Sequence, residues 1–247
     1  MKKTKDYVLI TGCNGGLGRS LIREFASTGK NLITLCRTES ENFNRYIKSI
    51  SENNDVDIIP VFFDLTDSNL LKSKLRPLLN SKIKISALVN NAAIPHGGLF
   101  QMTSMETIKS VFELNLFAQM ELTQFLLRYM SKNGGQAIVN VSSISGIDLT
   151  MGNCAYGVSK AALIAFTKVL ATEAANLGIR VNAIAPGLID TGMASEMGNK
   201  EKKEMISSSA MNRMAKPEEI ARTIVFLCSQ ESSFINGEVI RIDGGQL

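Results

Sequence analysis

Tyr156 and Lys160 stand four residues apart in a stretch with helical spacing, which places both side chains on one face. A free phenol, with a pKa of about 10, is a sluggish proton donor or acceptor at neutral pH. An ammonium nearby stabilises the phenolate. A drop of about three units corresponds to roughly 4 kcal/mol of differential stabilisation, within reach of a close cation and a hydrogen bond in a partly dry site. Ser143 lies thirteen residues before the tyrosine, just past the apolar run Ala137–Val141. It is suited to hold a carbonyl oxygen beside the phenol. Together these groups could protonate an alkoxide formed by hydride transfer, or remove a proton in the reverse direction. Asn115, within Leu114-Asn115-Leu116, is a polar residue in an apolar helical run. It needs partners, either as a member of this site or as a satisfied core amide.

Hydride chemistry calls for a carrier, and a loop near the start of the chain is built for one. Thr11-Gly12-Cys13-Asn14-Gly15-Gly16-Leu17-Gly18 follows the apolar Tyr7–Thr11 and runs directly into helical spacing. Glycines there let the backbone pass close to a pyrophosphate, met by free N–H groups and the positive end of the helix. The pattern G-x-x-x-G-x-G is wider than the common G-x-G-x-x-G and could alternatively be a plain glycine turn. Gly12, Asn14, Gly16, Leu17 and Gly18 are its candidate dinucleotide contacts. At the end of the second apolar run, Leu35-Cys36-Arg37-Thr38 has no carboxylate to hold a ribose 2′-hydroxyl, whereas Arg37 can pair with a 2′-phosphate. NADP(H) is therefore favoured over NAD(H). Arg37 could instead solvate a loop, and Gly15 leaves the glycine turn without a second basic residue. Asp64, followed by Leu65, is placed either to accept from the adenine amino group or to begin a turn with Thr66 and Asp67.

The elements that must position these residues are legible as alternation. Apolar runs at Tyr7–Thr11, Asn31–Leu35, Asp57–Phe63, Ala87–Asn90, Ala137–Val141, Arg180–Ile184 and Val239–Ile242 predict seven strands. Helical patterns at Leu17–Thr28, Ser40–Asn53, Ser68–Leu79, Met105–Met130, Ala155–Leu177 and Pro217–Ser229 lie between them. Gly29, Gly134-Gly135 and Gly178 mark helix ends, and Pro217 with Glu218 and Glu219 marks a helix start. Alternation of this kind predicts an α/β fold, a doubly wound parallel sheet of the Rossmann type forming a single domain over residues 1–247. Residues 193–213 are polar, dotted with methionine and without strand character, which suits an insertion over the site.

Composition narrows the function classes. The chain has 247 residues, 45% hydrophobic and 20% charged, enough apolar material for one substantial core and unlike a disordered or fibrous chain. Its net charge of +4, from 27 basic and 23 acidic residues, and the lack of any tryptophan or basic stripe give no sign of nucleic-acid binding. No apolar run approaches the roughly 18 residues of a membrane span, and the start Met1-Lys2-Lys3-Thr4-Lys5 leads into too short an apolar stretch for a signal peptide, so a cytoplasmic location is expected. Cys13, Cys36, Cys154 and Cys228 are dispersed, which suggests reduced thiols and no cysteine-built metal site. His96 is the single histidine, so a His-rich zinc site is excluded; it is expected as a surface-loop residue or a substrate contact. A serine hydrolase is disfavoured, because Gly157-Val158-Ser159-Lys160-Ala161 lacks the last glycine of G-x-S-x-G and His96 precedes the serine.

Thr11–Gly18, Asn90-Asn91-Ala92, Asn115, Ser143, Tyr156-x-x-x-Lys160, Pro186-Gly187 and Asp243-Gly244-Gly245, in that order, resemble the short-chain dehydrogenase/reductases over essentially the whole chain. The segment from Asn212 to Ala221, with Gly237–Ile240, is similar to the 3-oxoacyl-carrier-protein reductases of fatty-acid synthesis. The resemblance implies Tyr156 as general acid/base, Lys160 as pKa-lowering group and ribose ligand, Ser143 as substrate orienter and Asn115 as holder of a water in a proton relay. It also implies that Asn90 and the neighbouring backbone of Asn91 and Ala92 line the cofactor, with Leu65 beside Asp64 at its adenine end. Pro186, Gly187 and Thr191 would face the nicotinamide half, and Met193 onward would form a mobile lid. Ala93 departs from the usual glycine. The implied reaction is NADPH-dependent reduction of a 3-oxoacyl thioester, with an acyl carrier protein as a candidate partner for Lys200, Lys202, Lys203 and Arg213. Those charges could equally be a solvated face. Met193, Met197, Met205, Met211 and Met214 could wall an acyl chain or fill core gaps. Sugar, polyol or steroid-like alcohols are alternative substrates, and a non-catalytic dinucleotide sensor is the alternative of another class. A homotetramer joined through Met105–Met130 and Ala155–Leu177 is implied as well.

Overall fold

The computed structural model describes residues 5–80, 83–130, 135–195 and 198–246. The first four residues, Gly134 and Met197, each invoked above, lie outside the described residues. Seven strands form one all-parallel sheet in the order β3-β2-β1-β4-β5-β6-β7. They are β1 (Lys5–Thr11), β2 (Asn31–Cys36), β3 (Ile58–Phe62), β4 (Ile83–Asn90), β5 (Gln136–Val141), β6 (Ile179–Pro186) and β7 (Val239–Ile242). Their apolar residues run consecutively because helices cover both faces. One face carries α3 (Ser68–Leu79), α5 (Ala118–Leu127) and α7 (Cys154–Ala175), which bury Leu71 and Leu75, Leu122 and Leu126, and Leu170 and Ala174 against the strands. The other carries α1 (Gly16–Ser27), α2 (Glu41–Asn54) and α10 (Pro217–Leu227), which bury Leu21 and Phe25, Phe43 and Ile47, and Ile220 and Ile224.

Local chemistry starts several of these helices. Ser40 caps α2 by accepting from the Phe43 N–H at 3.2 Å, and Asp67 caps α3 through the N–H groups of Asn69 and Leu70. Pro217 opens α10, and the Glu219 carboxylate accepts from the Lys216 N–H at 2.7 Å. The strand order reverses between β1 and β4, so the crevice beyond their carboxyl ends is the expected ligand position.

Two predicted elements are corrected, and the stretch read as lacking strand character is partly helical. The single helix drawn over Met105–Met130 is α4 (Met105–Phe112), a π-helical turn at Glu113–Phe117 and then α5. The stretch at 193–213 contains a short α8 (Gly192–Ser195) and a further helix α9 (Asn199–Ser208). β4 begins four residues before the predicted start, because a register shift at Tyr7/Val8 lets Lys5–Tyr7 keep pairing with Ile83–Ile85. Among the described residues α7 alone is long and apolar enough to cross a membrane, yet Lys160, Thr167, Leu170 and Ala174 on it are buried inside the fold.

Candidate active site

The glycine turn is held by contacts that leave no room for side chains. Gly12 has φ +66°, and a Cβ there would come within 2.8 Å of Ala92 Cα. A Cβ on Gly16 would meet Thr191 Cγ2 at 2.6 Å, so the segment after β6 crosses the turn. Thr11 joins the turn to the end of β4: its Oγ1 accepts from the N–H groups of Asn91 and Ala92, both at 2.9 Å. The Asn91 amide donates back to the carbonyls of Thr11 and Gly12. The N-cap of α1 is Gly15, with no side-chain cap and no acidic residue in the first turn. The amino end of α1 therefore keeps its positive end uncompensated by the chain, as an anion-binding turn requires. These residues fit a dinucleotide pyrophosphate.

Arg19, not among the residues singled out from the sequence, lies beside the glycine turn. Its guanidinium donates to Asn14 O at 3.3 Å, to Asn14 Oδ1 at 2.7 Å and twice to Asn42 Oδ1 at 3.1 Å. It lies 5.2 Å from the Tyr46 ring centroid. A cation near the N-terminus of a helix opposes the macrodipole, and Arg19 is held there by neutral acceptors. The signal available in the sequence was a basic residue directly after the last glycine of the turn, with no acid beside it. Arg37 is exposed and close enough to Asp64 to help hold that carboxyl below its usual range, behind the larger effect of the Thr66 hydrogen bonds. Asp64 Oδ1 accepts from the Thr66 N–H and hydroxyl, the turn-forming alternative, and the Leu65 side chain is buried in the core. Asn90 does not line the cleft. It is buried, and its amide donates to Thr123 Oγ1 and Asn140 Oδ1, tying β4 to α5 and β5.

At the other end, Ser143 stands two residues past β5. Its loop is fixed by the Ser142 N–H on Ile184 O and the Ile144 N–H on Pro186 O, at 2.8 and 3.0 Å. Gly187 in turn donates to Ile242 O, and a Cβ there would press on Asp243 Cα at 3.0 Å, so Pro186-Gly187 is seated between β5 and β7. The Ser143 hydroxyl, which accepts from the Ser145 N–H at 3.1 Å, is near enough to the Tyr156 hydroxyl to affect its ionisation. Lys160, 2% exposed, sends Nζ to the Val141 carbonyl at 2.8 Å and lies 5.7 Å from the Tyr156 ring centroid. The trio predicted from spacing is thus assembled at one sheet edge.

Its electrostatics differ from the expectation. Burial pushes the Tyr156 phenol above its ordinary value, with the Ser143 hydroxyl pulling the other way. Burial also lowers Lys160 to about 7, so near neutrality the amine is only partly charged and is a weaker cation than the sequence argument assumed. Asn115 sits in the π-helical turn, fully buried. Its Oδ1 accepts from the Ile94 N–H at 2.9 Å, and its Nδ2 donates to Ile94 O at 3.0 Å and Ser159 Oγ at 3.2 Å. The Asn115 side chain is therefore occupied by protein groups, binding the loop after β4 to α7. Ser159 Oγ donates to Tyr156 O, which spends the hydroxyl that a hydrolase reading would need. His96 is half-buried in the same loop, which is pinned two residues later where the Gly98 N–H meets Gly152 O at 2.8 Å. No group of three metal-ligating side chains occurs among the described residues.

A family model described as enoyl-(acyl carrier protein) reductase matches residues 12–246. A 3-oxoacyl-[acyl-carrier-protein] reductase of Thermotoga maritima is 37% identical over 245 residues, 99% of each chain. A 7alpha-hydroxysteroid dehydrogenase of Bacteroides fragilis is 35% identical, over 96% of this chain and 93% of that one. Among solved structures, an L-sorbose reductase of Gluconobacter frateurii complexed with NADPH and L-sorbose superposes with a TM-score of 0.88 at 29% identity, covering 99% and 98% of the two chains.

Proposed function

The chain belongs to the short-chain dehydrogenase/reductases, NAD(P)-dependent oxidoreductases, and from that premise we propose that it reduces the ketone of a 3-oxoacyl thioester with NADPH. The observation that carries the reading is the convergence of Ser143, Tyr156 and the buried Lys160, its Nζ 5.7 Å from the Tyr156 ring centroid, at the sheet edge that also bears the glycine turn. A nicotinamide cofactor, when bound, would supply hydride there. Gly12, Asn14, Gly16, Leu17 and Gly18 would hold the pyrophosphate half. Arg37, Asp64, Leu65, Asn91 and Ala92 would hold the adenosine side, and Pro186, Gly187 and Thr191 the nicotinamide side. Arg19 and Arg37 offer two cations to a 2′-phosphate and no carboxylate to a 2′-hydroxyl, which supports NADP(H).

For reduction, Tyr156 must be protonated when the substrate arrives, and a buried phenol with a raised pKa is. Ser143 donates to the carbonyl oxygen, Tyr156 gives that oxygen its proton, and the phenolate left behind is stabilised by Lys160 taking up a proton from solvent. Lys160, lowered to about 7, is poised for that exchange at neutral pH. Asn115 holds Ile94 and Ser159, and so the substrate loop, against α7. Residues 193–213 form the substrate lid. A cytoplasmic homotetramer joined through α4, α5 and α7 accounts for the exposed apolar Phe117, Met120, Val158 and Val169.

The test is turnover of NADPH and NADH with acetoacetyl thioester against a panel of sugar, polyol and steroid ketones. The proposal expects thioester reduction faster with NADPH. Turnover confined to a sugar or steroid would move the substrate to those classes, and activity on none would favour a dinucleotide sensor.

A further inference from the structure

We infer that Cys13 and Cys36 form an oxidation-sensitive thiol pair whose disulfide distorts the dinucleotide turn, a property independent of the substrate assigned above. Cys13 lies within the glycine turn and Cys36 is the last residue of β2. β1 and β2 are parallel neighbours in register Thr11↔Leu35, and the Cys13 N–H donates to Leu35 O at 3.3 Å, so the two cysteines leave adjacent strands side by side. Adjacent strands lie about 4.8 Å apart and one residue of offset adds about 3.3 Å, giving a Cα separation of roughly 6 Å, a common disulfide span. Both side chains belong to the same core cluster, and the two thiols are near enough for each to shift the other's ionisation.

The surroundings activate one sulfur. The backbone N–H groups of Asn14 and Cys13 and the Arg19 guanidinium lie on the Cys36 side of the pair. The neighbouring Cys13, then these groups, hold the Cys36 thiol below its ordinary pKa, while burial pushes Cys13 up. Cys36 is thus the attacking thiolate and Cys13 the resolving thiol. With a hydroperoxide as oxidant, Cys36 sulfur bonds to the outer peroxide oxygen, the O–O bond breaks, and hydroxide leaves with the electron pair. Cys13 sulfur then displaces that oxygen from Cys36, its proton leaving with the oxygen as water. The hydroxide takes the proton first lost by Cys36, so two thiols and one hydrogen peroxide give one disulfide and two waters.

Closing the bond draws the sulfurs to about 2.05 Å, far inside any thiol hydrogen bond. Cys13 Sγ must leave the Ile10 carbonyl, 3.0 Å away. The turn has little slack to absorb this, because Gly18 packs directly on Gly12 O and Cys13 Cα, and the Asn91 amide holds Gly12 O. Strain passes to the backbone that would cradle the pyrophosphate.

The experiment treats the purified full-length protein with hydrogen peroxide, blocks remaining thiols with iodoacetamide and maps peptides by mass spectrometry, with NADPH dissociation constants measured before and after. The expected result is a dithiothreitol-reversible Cys13–Cys36 cross-link, slowed by bound NADPH, and a dissociation constant raised tenfold or more. In Cys36→Ala the peroxide-induced change disappears. The inference is overturned if both thiols stay alkylatable, if Cys36 alone reaches sulfinic acid, if either joins Cys154 or Cys228, or if the cross-link leaves NADPH affinity unchanged.

Discussion

Replacing Lys160 by methionine is expected to stabilise the fold at neutral and acid pH while removing activity. Lys160 is 2% exposed, and its ammonium meets one protein acceptor, the Val141 carbonyl. Burial lowers it from 10.5 to about 7. At about 1.4 kcal/mol per unit, that gap is about 5 kcal/mol, the free energy of keeping the side chain charged inside the fold. Between pH 7 and 10.5 the folded chain holds the amine neutral and the unfolded chain holds it charged. Unfolding then takes up a proton, so this group makes stability rise with pH across that window; below pH 7 both states are protonated and the contribution is flat. Lys160→Met removes the charge and leaves Val141 O without its donor, a loss of about 1–2 kcal/mol. The variant is therefore expected to be more stable than wild type by about 3 kcal/mol at pH 6, and less stable by about 1 kcal/mol at pH 10. For a chain of this size the first figure corresponds to about 10 °C in midpoint. Thermal or urea unfolding of both proteins at fixed concentration over that pH range gives the answer. A difference between them that is the same at pH 6 and pH 10, or that favours wild type as pH falls, refutes the reasoning.

Two further outcomes follow from named contacts. Asn115→Ala strands both the N–H and the carbonyl of Ile94, and should destabilise the protein by about 2–4 kcal/mol in denaturant unfolding while also lowering kcat. Arg19→Ala should weaken NADPH binding about tenfold in a calorimetric titration and NADH binding much less, with the NADPH effect shrinking as salt rises. Equal losses for the two dinucleotides would remove Arg19 from 2′-phosphate recognition.

The architecture was legible because strands covered on both faces read as near-continuous Val/Ile/Leu runs, as in Val8–Ile10 and, with a single polar residue each at Thr34 and Asn140, in Leu32–Leu35 and Ile138–Val141. The assembly of Ser143, Tyr156 and Lys160 followed from helical spacing plus the rule that carboxyl ends of parallel strands share one edge. The π-helical turn at Asn115 was hidden, since apolar periodicity is nearly the same on either side of it. What fixes it is a long-range grip on Ile94, twenty-one residues away. Arg19 was overlooked because its partners Asn14 and Asn42 meet only when α1 and α2 pack together. The direction of the Tyr156 shift was missed for a related reason: a sequence shows a lysine at i+4 but not the burial that raises the phenol and leaves the amine only partly charged.

The account rests most heavily on the Tyr156 hydroxyl as the proton donor. Its most direct test compares wild type and Tyr156→Phe, with NADPH consumption on acetoacetyl thioester and NADPH binding measured on the same preparations. The account predicts a fall in turnover of about 100-fold or more with the dissociation constant for NADPH nearly unchanged. Turnover by the phenylalanine variant at the wild-type rate, with binding intact, would contradict it.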